Sequence, residues 1–165
     1  MGKPNEPNYY FAYGSNMFEG QMKQRCPSAV FVSGATLHGF LRCFPQRSER
    51  WHGGVAGVTA APDESVEGVV YQLSDSDLLV LDGYEGVDSG RYKREAVEVV
   101  LENGGSITAW IYYATMGNGQ HYPPSSDYID TLLKGAVEHR LSEETVQYIV
   151  TIKNSGSPER QPPAR

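Results

Sequence analysis

The chain has 165 residues, of which 39% are hydrophobic, and a formal net charge of −6. That length predicts one compact domain with its own core, and the negative charge argues against nucleic acid or an anionic membrane as a partner. Two cysteines are too few for a disulfide scaffold and no apolar run reaches the roughly 18 residues of a membrane span, so a cytoplasmic protein with reduced thiols is expected.

A single domain, expected to span residues 9–154, accounts for nearly all of the sequence. Residues 1–8 and 155–165 are rich in proline and poor in apolar side chains, so they are predicted to be flexible tails. No linker-like segment and no internal repeat divides the chain between them.

The first predicted element is a buried strand at 9–13, an aromatic run that ends at Gly14. Ser15 or Asn16 is then predicted to cap a short helix that ends near Arg25, shortly before a proline. Four separate strand-like runs follow, at 29–32, 36–44, 55–60 and 66–73.

The second half of the chain predicts three helices and one hairpin. Capping serines precede the apolar helical segments, at Ser74, Ser125 and Ser142. The hairpin joins strands at 91–101 and 107–113 through a turn with two glycines. Many strands and few helices, without regular alternation, favour an α+β fold with a strongly bent or barrel-like sheet.

The sequence lacks the motifs of common cofactor and metal sites. No glycine-rich phosphate-binding motif is present, and the four histidines do not have metal-ligand spacing, so no cofactor and no metal are predicted. A hydrolase nucleophile at Ser15 stays open, although the second glycine of that motif is missing. A cysteine–histidine pair using Cys26 or Cys43 also stays open, although buried cysteines are usually inert.

Residues 13–16, Tyr-Gly-Ser-Asn, form the first candidate site because they follow a buried strand. A glycine there lets the backbone approach a ligand, and successive N–H groups entering a helix can bind a carboxylate or an oxyanion. An ordinary strand-to-helix turn is the simpler interpretation of the same spacing.

Glu85 is the second candidate, since it lies beside Tyr84 and just past an apolar helical segment. Apolar surroundings raise the pKa of a carboxyl group, and a pKa near the working pH suits a general base. Asp82 is the alternative carboxylate, and a solvated surface position is the simpler interpretation of either.

Several segments, taken in chain order, resemble the γ-glutamylcyclotransferase family. The pair with most weight is YFAYGSNM at 10–17, similar to the family's YFAYGSNL, and LDGYEGV at 81–87, similar to its LDxxEG segment. Further similar segments lie at 37–40, 66–71, 90–94 and 124–128. The resemblance covers about residues 9–150.

This resemblance implies a small mixed β-barrel with flanking helices and a reaction that needs no cofactor. The α-amine of a small-molecule γ-glutamyl substrate attacks its own γ-carbonyl, which closes 5-oxoproline and releases an amine or amino acid. By position, the family's catalytic glutamate corresponds to Glu85. Its substrate-binding residues correspond to Tyr10, Phe11, Ala12, Tyr13, Gly14, Ser15 and Tyr128.

The resemblance leaves three questions open. The substrate could be a glutathione-derived γ-glutamyl dipeptide, a γ-glutamylamine or a γ-glutamyl-protected metabolite. The amides of residues 13–15 could hold the substrate's α-carboxylate or the oxyanion. The family also allows a homodimer. A non-catalytic module that binds an acidic small molecule in the same pocket is the alternative function.

Overall fold

The computed structural model describes residues 7–114 and 121–155. The predicted tails therefore lie outside the described residues, apart from Pro7, the first residue of β1 (Asn8) and the last residue of α4 (Ser155). The elements are β1 (Asn8–Ala12), a 3-10 turn (Ser15–Met17), α1 (Glu19–Arg25), β2 (Val30–Ser48), β3 (Gly53–Leu73), α2 (Asp75–Glu85), β4 (Tyr92–Leu101), β5 (Ser106–Ala114), α3 (Ser126–Glu138) and α4 (Glu143–Ser155).

The five strands form a closed barrel in the order β1-β3-β2-β4-β5. Neighbouring strands are antiparallel except β1 and β5, which run parallel and meet where Tyr10 pairs with Trp110. Each strand therefore has two neighbours, although β1 and β5 share one paired position and β2 and β4 share two. The predicted α+β class, with a small mixed barrel and flanking helices, is confirmed.

Strands β2 and β3 are much longer than predicted, with 19 and 21 residues. The four predicted runs lie in strands, but they join in pairs into two continuous strands that contain β-bulges. The register shifts between Phe31 and Ser33, between His38 and Phe40, and between Cys43 and Gln46. A bulge takes up an extra residue and sharpens the local twist, which helps a short sheet close.

The cap predicted at Ser15 or Asn16 was also wrong. Both residues are buried inside the 3-10 turn, and α1 begins only at Glu19, after Phe18, without a side-chain cap. The side chains of Ser15 and Asn16 are instead hydrogen-bonded to Gln21. The two side chains therefore hold the 3-10 turn against α1 and do not cap the helix.

The capping serines of α2 and α3 are confirmed. Ser74 accepts from the N–H of Asp77, and Ser125 accepts from the N–H of Tyr128. Helix α2 continues to Glu85, so this residue ends the helix rather than following it.

Helices α3 and α4 pack over one side of the barrel. Their fully buried side chains are apolar and belong to Ile129, Leu132, Ala136, Ile149 and Ile152. Val137 has the helical spacing of this apolar face, but it is 59% exposed. No helix in the described part of the chain is both long enough and apolar enough to cross a bilayer.

Candidate active site

A cavity of about 760 Å³ opens where the end of β1 meets the end of α2. The tip of the β2–β3 hairpin and the beginning of α3 complete its wall. Its side chains are mainly aromatic or charged: Tyr10, Tyr13, Tyr84, Tyr92, Tyr112, Tyr128, Trp51, Arg25, Arg47, Arg50, Arg91, Glu49 and Glu85.

Six of the eight residues proposed from the sequence line this cavity, namely Tyr10, Tyr13, Gly14, Ser15, Glu85 and Tyr128. Phe11 and Ala12 do not, because both are fully buried in the core. Successive side chains of a strand point to opposite faces, so Phe11 turns away from the side that Tyr10 takes. Its ring packs against Gly68, where a Cβ atom would lie 2.8 Å from the Phe11 ring.

Glu85 is the last residue of α2, and Gly86 ends the helix in the left-handed conformation with φ 68°. Within residues 7–114 and 121–155, the Glu85 carboxyl has no hydrogen-bond or ion-pair partner. Burial raises its pKa to about 7, against the opposing effect of Arg25 and Arg91, and with a further small rise from Asp82. The carboxyl can therefore exchange a proton near neutral pH.

Asp82, the rival carboxylate, is not among the cavity-lining residues. Its Oδ1 accepts a hydrogen bond of 2.7 Å from the Tyr112 hydroxyl and lies 3.6 Å from Nε of Arg94. These contacts tie the last turns of α2 to β4 and β5. Asp82 thus holds the helix that carries Glu85.

Tyr128 reaches into the cavity from the first turn of α3. Its hydroxyl oxygen accepts from the N–H of Ala56 at 2.8 Å, and the N–H of Ser15 is a second donor. No acceptor for its own O–H is present among the described residues, so that proton is available to a ligand. Burial raises the pKa of Tyr128 to about 12, which keeps the group a donor.

Gly14 is required by this approach of Tyr128. A Cβ atom at Gly14 would lie 2.8 Å from the Tyr128 hydroxyl and 3.4 Å from Cβ of Ala56. The glycine therefore allows a backbone segment and a phenol to meet at the cavity wall.

Side chains from α1 fix the neighbouring 3-10 turn. Gln21 donates to Ser15 Oγ at 2.7 Å and to Asn16 Oδ1 at 2.9 Å, and Arg25 also donates to Asn16, at 3.1 Å. Asn16 in turn donates to the Tyr10 hydroxyl at 3.2 Å. The partner of Ser15 Oγ is thus an amide, which cannot act as the base that a serine hydrolase needs.

Arg42 is a residue of this region that the sequence analysis missed. It is 4% exposed, and it donates to the carbonyl of Tyr13 at 3.1 Å and to that of Glu67 at 2.9 Å. The C=O and N–H of a trans peptide point in opposite directions, so the N–H of Gly14 is turned away from Arg42. The signal was present: Arg42 shares a strand face with Phe40 and Phe44, where a charge is unexpected.

The two cysteines are not suited to nucleophilic chemistry. Burial raises the pKa of Cys26 and of Cys43 to about 11. The thiol of Cys26 donates to the carbonyl of Asp77 at 3.4 Å. Both groups are therefore thiols rather than thiolates near neutral pH.

Comparisons with known proteins agree with this architecture. The profile of the AIG2-like family matches residues 65–149. The chain is 37% identical to γ-glutamylcyclotransferase from Mus musculus, covering 92% of this chain and 82% of the mouse protein, and 42% identical to that from Bos taurus, covering 82% and 73%.

A solved structure of a γ-glutamyl cyclotransferase superposes on the fold with a TM-score of 0.81. The two chains are 36% identical, and the match covers 90% of this chain and 87% of the other. With this likeness over nearly the whole length, the chain belongs to the γ-glutamylcyclotransferases of the AIG2-like family.

Proposed function

We propose that the cavity cyclises a small-molecule γ-glutamyl compound, with Glu85 as general base and then general acid. The α-amine attacks the γ-carbonyl carbon within the same molecule, the bond to the leaving nitrogen breaks, and 5-oxoproline departs with a free amine or amino acid. The observation that carries this proposal is the unpaired Glu85 carboxyl, half-buried at the cavity with a pKa of about 7.

Glu85 has the protonation behaviour that the reaction needs. The substrate amine is an ammonium at neutral pH and cannot attack until it loses a proton. A carboxylate with a pKa near 7 takes up this proton and returns it to the leaving nitrogen. Such general acid–base assistance contributes typically about 10²–10⁴ in rate.

The cavity also supports the reaction by holding the folded substrate conformer. Both reacting groups belong to one molecule, and well-oriented intramolecular reactions reach effective molarities of about 10⁵–10⁸ M. Walls formed by Tyr10, Tyr13 and Tyr92 are rigid and limit the conformers that fit.

Tyr128 is proposed to stabilise the negative charge that develops on the γ-carbonyl oxygen. Because its oxygen already accepts from two backbone N–H groups, its O–H is both oriented and polarised. The N–H of Gly14, turned from Arg42, is a second donor on the same wall. The N–H of Ser15 points at the Tyr128 oxygen, so it acts on the substrate only through the Tyr128 hydroxyl.

The alternative function, binding an acidic small molecule without catalysis, is not favoured. Binding alone gives no role to the Glu85 carboxyl, which has no partner in the described ranges, because an acidic ligand without an amine has no proton for it to take up. A carboxylate that can accept a proton near neutral pH suits a substrate with an ammonium group better than a ligand that has only anionic groups.

The test is release of 5-oxoproline from γ-glutamyl-alanine, followed by mass spectrometry. We expect turnover that increases with pH through about 7 and falls about 10²–10⁴-fold in Glu85→Gln. Glu138→Gln is the matched control, since this exposed carboxylate lies outside the cavity. Tight binding of γ-glutamyl compounds without any 5-oxoproline would contradict the proposal and support the binding module.

A further inference from the structure

The cavity mouth carries an excess of positive charge although the chain as a whole has a net charge of −6. Four arginines line the cavity, Arg25, Arg47, Arg50 and Arg91, against the two carboxylates Glu49 and Glu85. Arginines from separate parts of the chain meet here, from α1, from the end of β2 and its turn, and from the start of β4.

Two of these guanidinium groups lie close to the same aromatic ring. Arg25 lies 4.7 Å and Arg50 lies 5.2 Å from the centroid of the Tyr84 ring. Tyr84 immediately precedes Glu85 and is 46% exposed, so this Arg25–Tyr84–Arg50 clamp stands beside the base at the opening of the cavity. A second cavity of about 420 Å³ shares the three clamp residues with the first.

The clamp and Arg47 lack carboxylate partners. Among residues 7–114 and 121–155, no carboxylate oxygen lies within 4.0 Å of a guanidinium nitrogen of Arg25, Arg47 or Arg50. Like charges gathered at one site repel each other, and the repulsion is relieved when an anion binds between them. The planar fork of a guanidinium matches a carboxylate through two parallel hydrogen bonds.

We infer that the clamp and Arg47 bind the leaving group, and that the preferred leaving group is a dicarboxylic amino acid. This inference rests on the proposed function, in which the glutamyl half must sit within reach of Glu85 and the leaving half extends from its γ-carbonyl. The arginines line the same cavity as Glu85, so this leaving half extends within the space that they border. One α-carboxylate engages one guanidinium, and a side-chain carboxylate engages another.

The proposal distinguishes this site from one that accepts any amino acid or amine. A leaving group that is a neutral amino acid has one carboxylate, so at least one clamp arginine stays without a counter-charge. A simple amine has none, so both clamp arginines stay without one. Fixed cations therefore select for charge on the leaving group rather than for its apolar bulk, and the selection weakens when salt screens the charges.

The test compares γ-glutamyl-glutamate with γ-glutamyl-glutamine, which has nearly the same shape but one carboxylate fewer. We expect kcat/KM to be about 10-fold higher for the dicarboxylic substrate at low ionic strength, and this ratio to shrink at high ionic strength. In Arg50→Gln the ratio is expected to fall to about 2-fold. Arg140→Gln, which removes an exposed arginine outside the cavity, should retain the full ratio.

Equal kcat/KM values for the two substrates would overturn the inference while leaving the proposed function intact. A preference that survives in the Arg25→Gln, Arg50→Gln double variant would also overturn it. Absence of 5-oxoproline from both substrates and from γ-glutamyl-alanine would instead overturn the proposed function, and the inference with it.

Discussion

Titratable side chains are buried in two regions, the cavity around Glu85 and a cluster at the end of α3 in which Tyr71 and His139 are buried beside the exposed Glu138. In the His139 cluster, the Tyr71 hydroxyl donates to the carbonyl of Met17 at 2.7 Å, and the His139 ring stacks on Phe31 at 4.2 Å. His139 Nε2 also lies 3.7 Å from a Glu138 oxygen. Among the described residues, the Tyr71 hydroxyl and His139 Nε2 thus both have partners within the fold.

The Glu85 cavity is built in the opposite way. Within the described ranges, the carboxyl of Glu85 and the O–H of Tyr128 have no partner, and three arginines lack a carboxylate. Unpaired polar groups lower the stability of a fold, whereas satisfied ones tie its elements together. Both regions thus contain buried titratable groups. They differ in that polar groups of the Glu85 cavity have no hydrogen-bond partner, which distinguishes a reactive site from a structural one.

The sharpest way to break this comparison is to remove one buried phenol from each region. Tyr128→Phe is expected to lower kcat/KM about 10²-fold, because a donor aimed at the developing oxyanion is lost. Tyr71→Phe removes the hydrogen bond to Met17 and should lower the free energy of unfolding by about 1 kcal/mol with kcat/KM unchanged. Kinetics and urea unfolding of both variants measure the contrast. Similar kinetic losses in both would show that the two regions do not differ in role.

A second test concerns Arg42, which acts on the cavity only through the backbone of Tyr13. Arg42→Met should lower kcat about 10-fold, with a smaller change in KM, because the peptide that carries the Gly14 N–H loses its anchor. Arg42→Lys restores the charge but not the fork that reaches both carbonyls, so it should recover little activity. Full rescue by lysine would mean that the buried charge matters and the orientation of Tyr13 does not.

The smallest effect is expected at Asp82. The Asp82 charge raises the pKa of Glu85, so Asp82→Asn should lower that pKa and move the acid limb of the kcat/KM profile to lower pH, by less than about one unit. Arg25 acts in the opposite sense, so Arg25→Gln should move the limb to higher pH. Shifts of the same sign in the two variants would show that Glu85 is not the group that titrates.

Much of the barrel can be predicted from local sequence signals, and the features that were predicted incorrectly share one cause. The runs at 36–44 and 66–73 were recognised as strands from their apolar residues, as was the hairpin turn that follows β4. Whether Ser33 or Pro62 interrupts a strand depends on the neighbouring strand, which accommodates the irregularity through a bulge. That pairing is a property of the closed barrel and is not encoded within a short window.

The candidate site likewise contains residues that the sequence could identify and residues that only the fold brings together. Glu85 and the loop at 13–16 lie in compact motifs, so the sequence could single them out. The clamp arginines lie on different elements, and only the fold brings Arg25 and Arg50 together at the ring of Tyr84. The rise in the pKa of Glu85 was expected from apolar neighbours in sequence, but its surroundings are tyrosines contributed by β1, β4 and β5.

The uninterrupted length of β2 and β3 separates two tasks along one hairpin. Pairs such as Ala35 with Gly68 belong to the barrel wall, whereas pairing at the far end stops where Ser48 meets Gly53. The four residues beyond that last pair include Arg50 and Trp51 and form an overhang above the opening. Of the proposed selectivity residues, Arg50 therefore lies outside the barrel wall, whereas Arg25 and Tyr84 reach the opening from α1 and α2, so exchanging the overhang alone should change only the share of selectivity that Arg50 contributes.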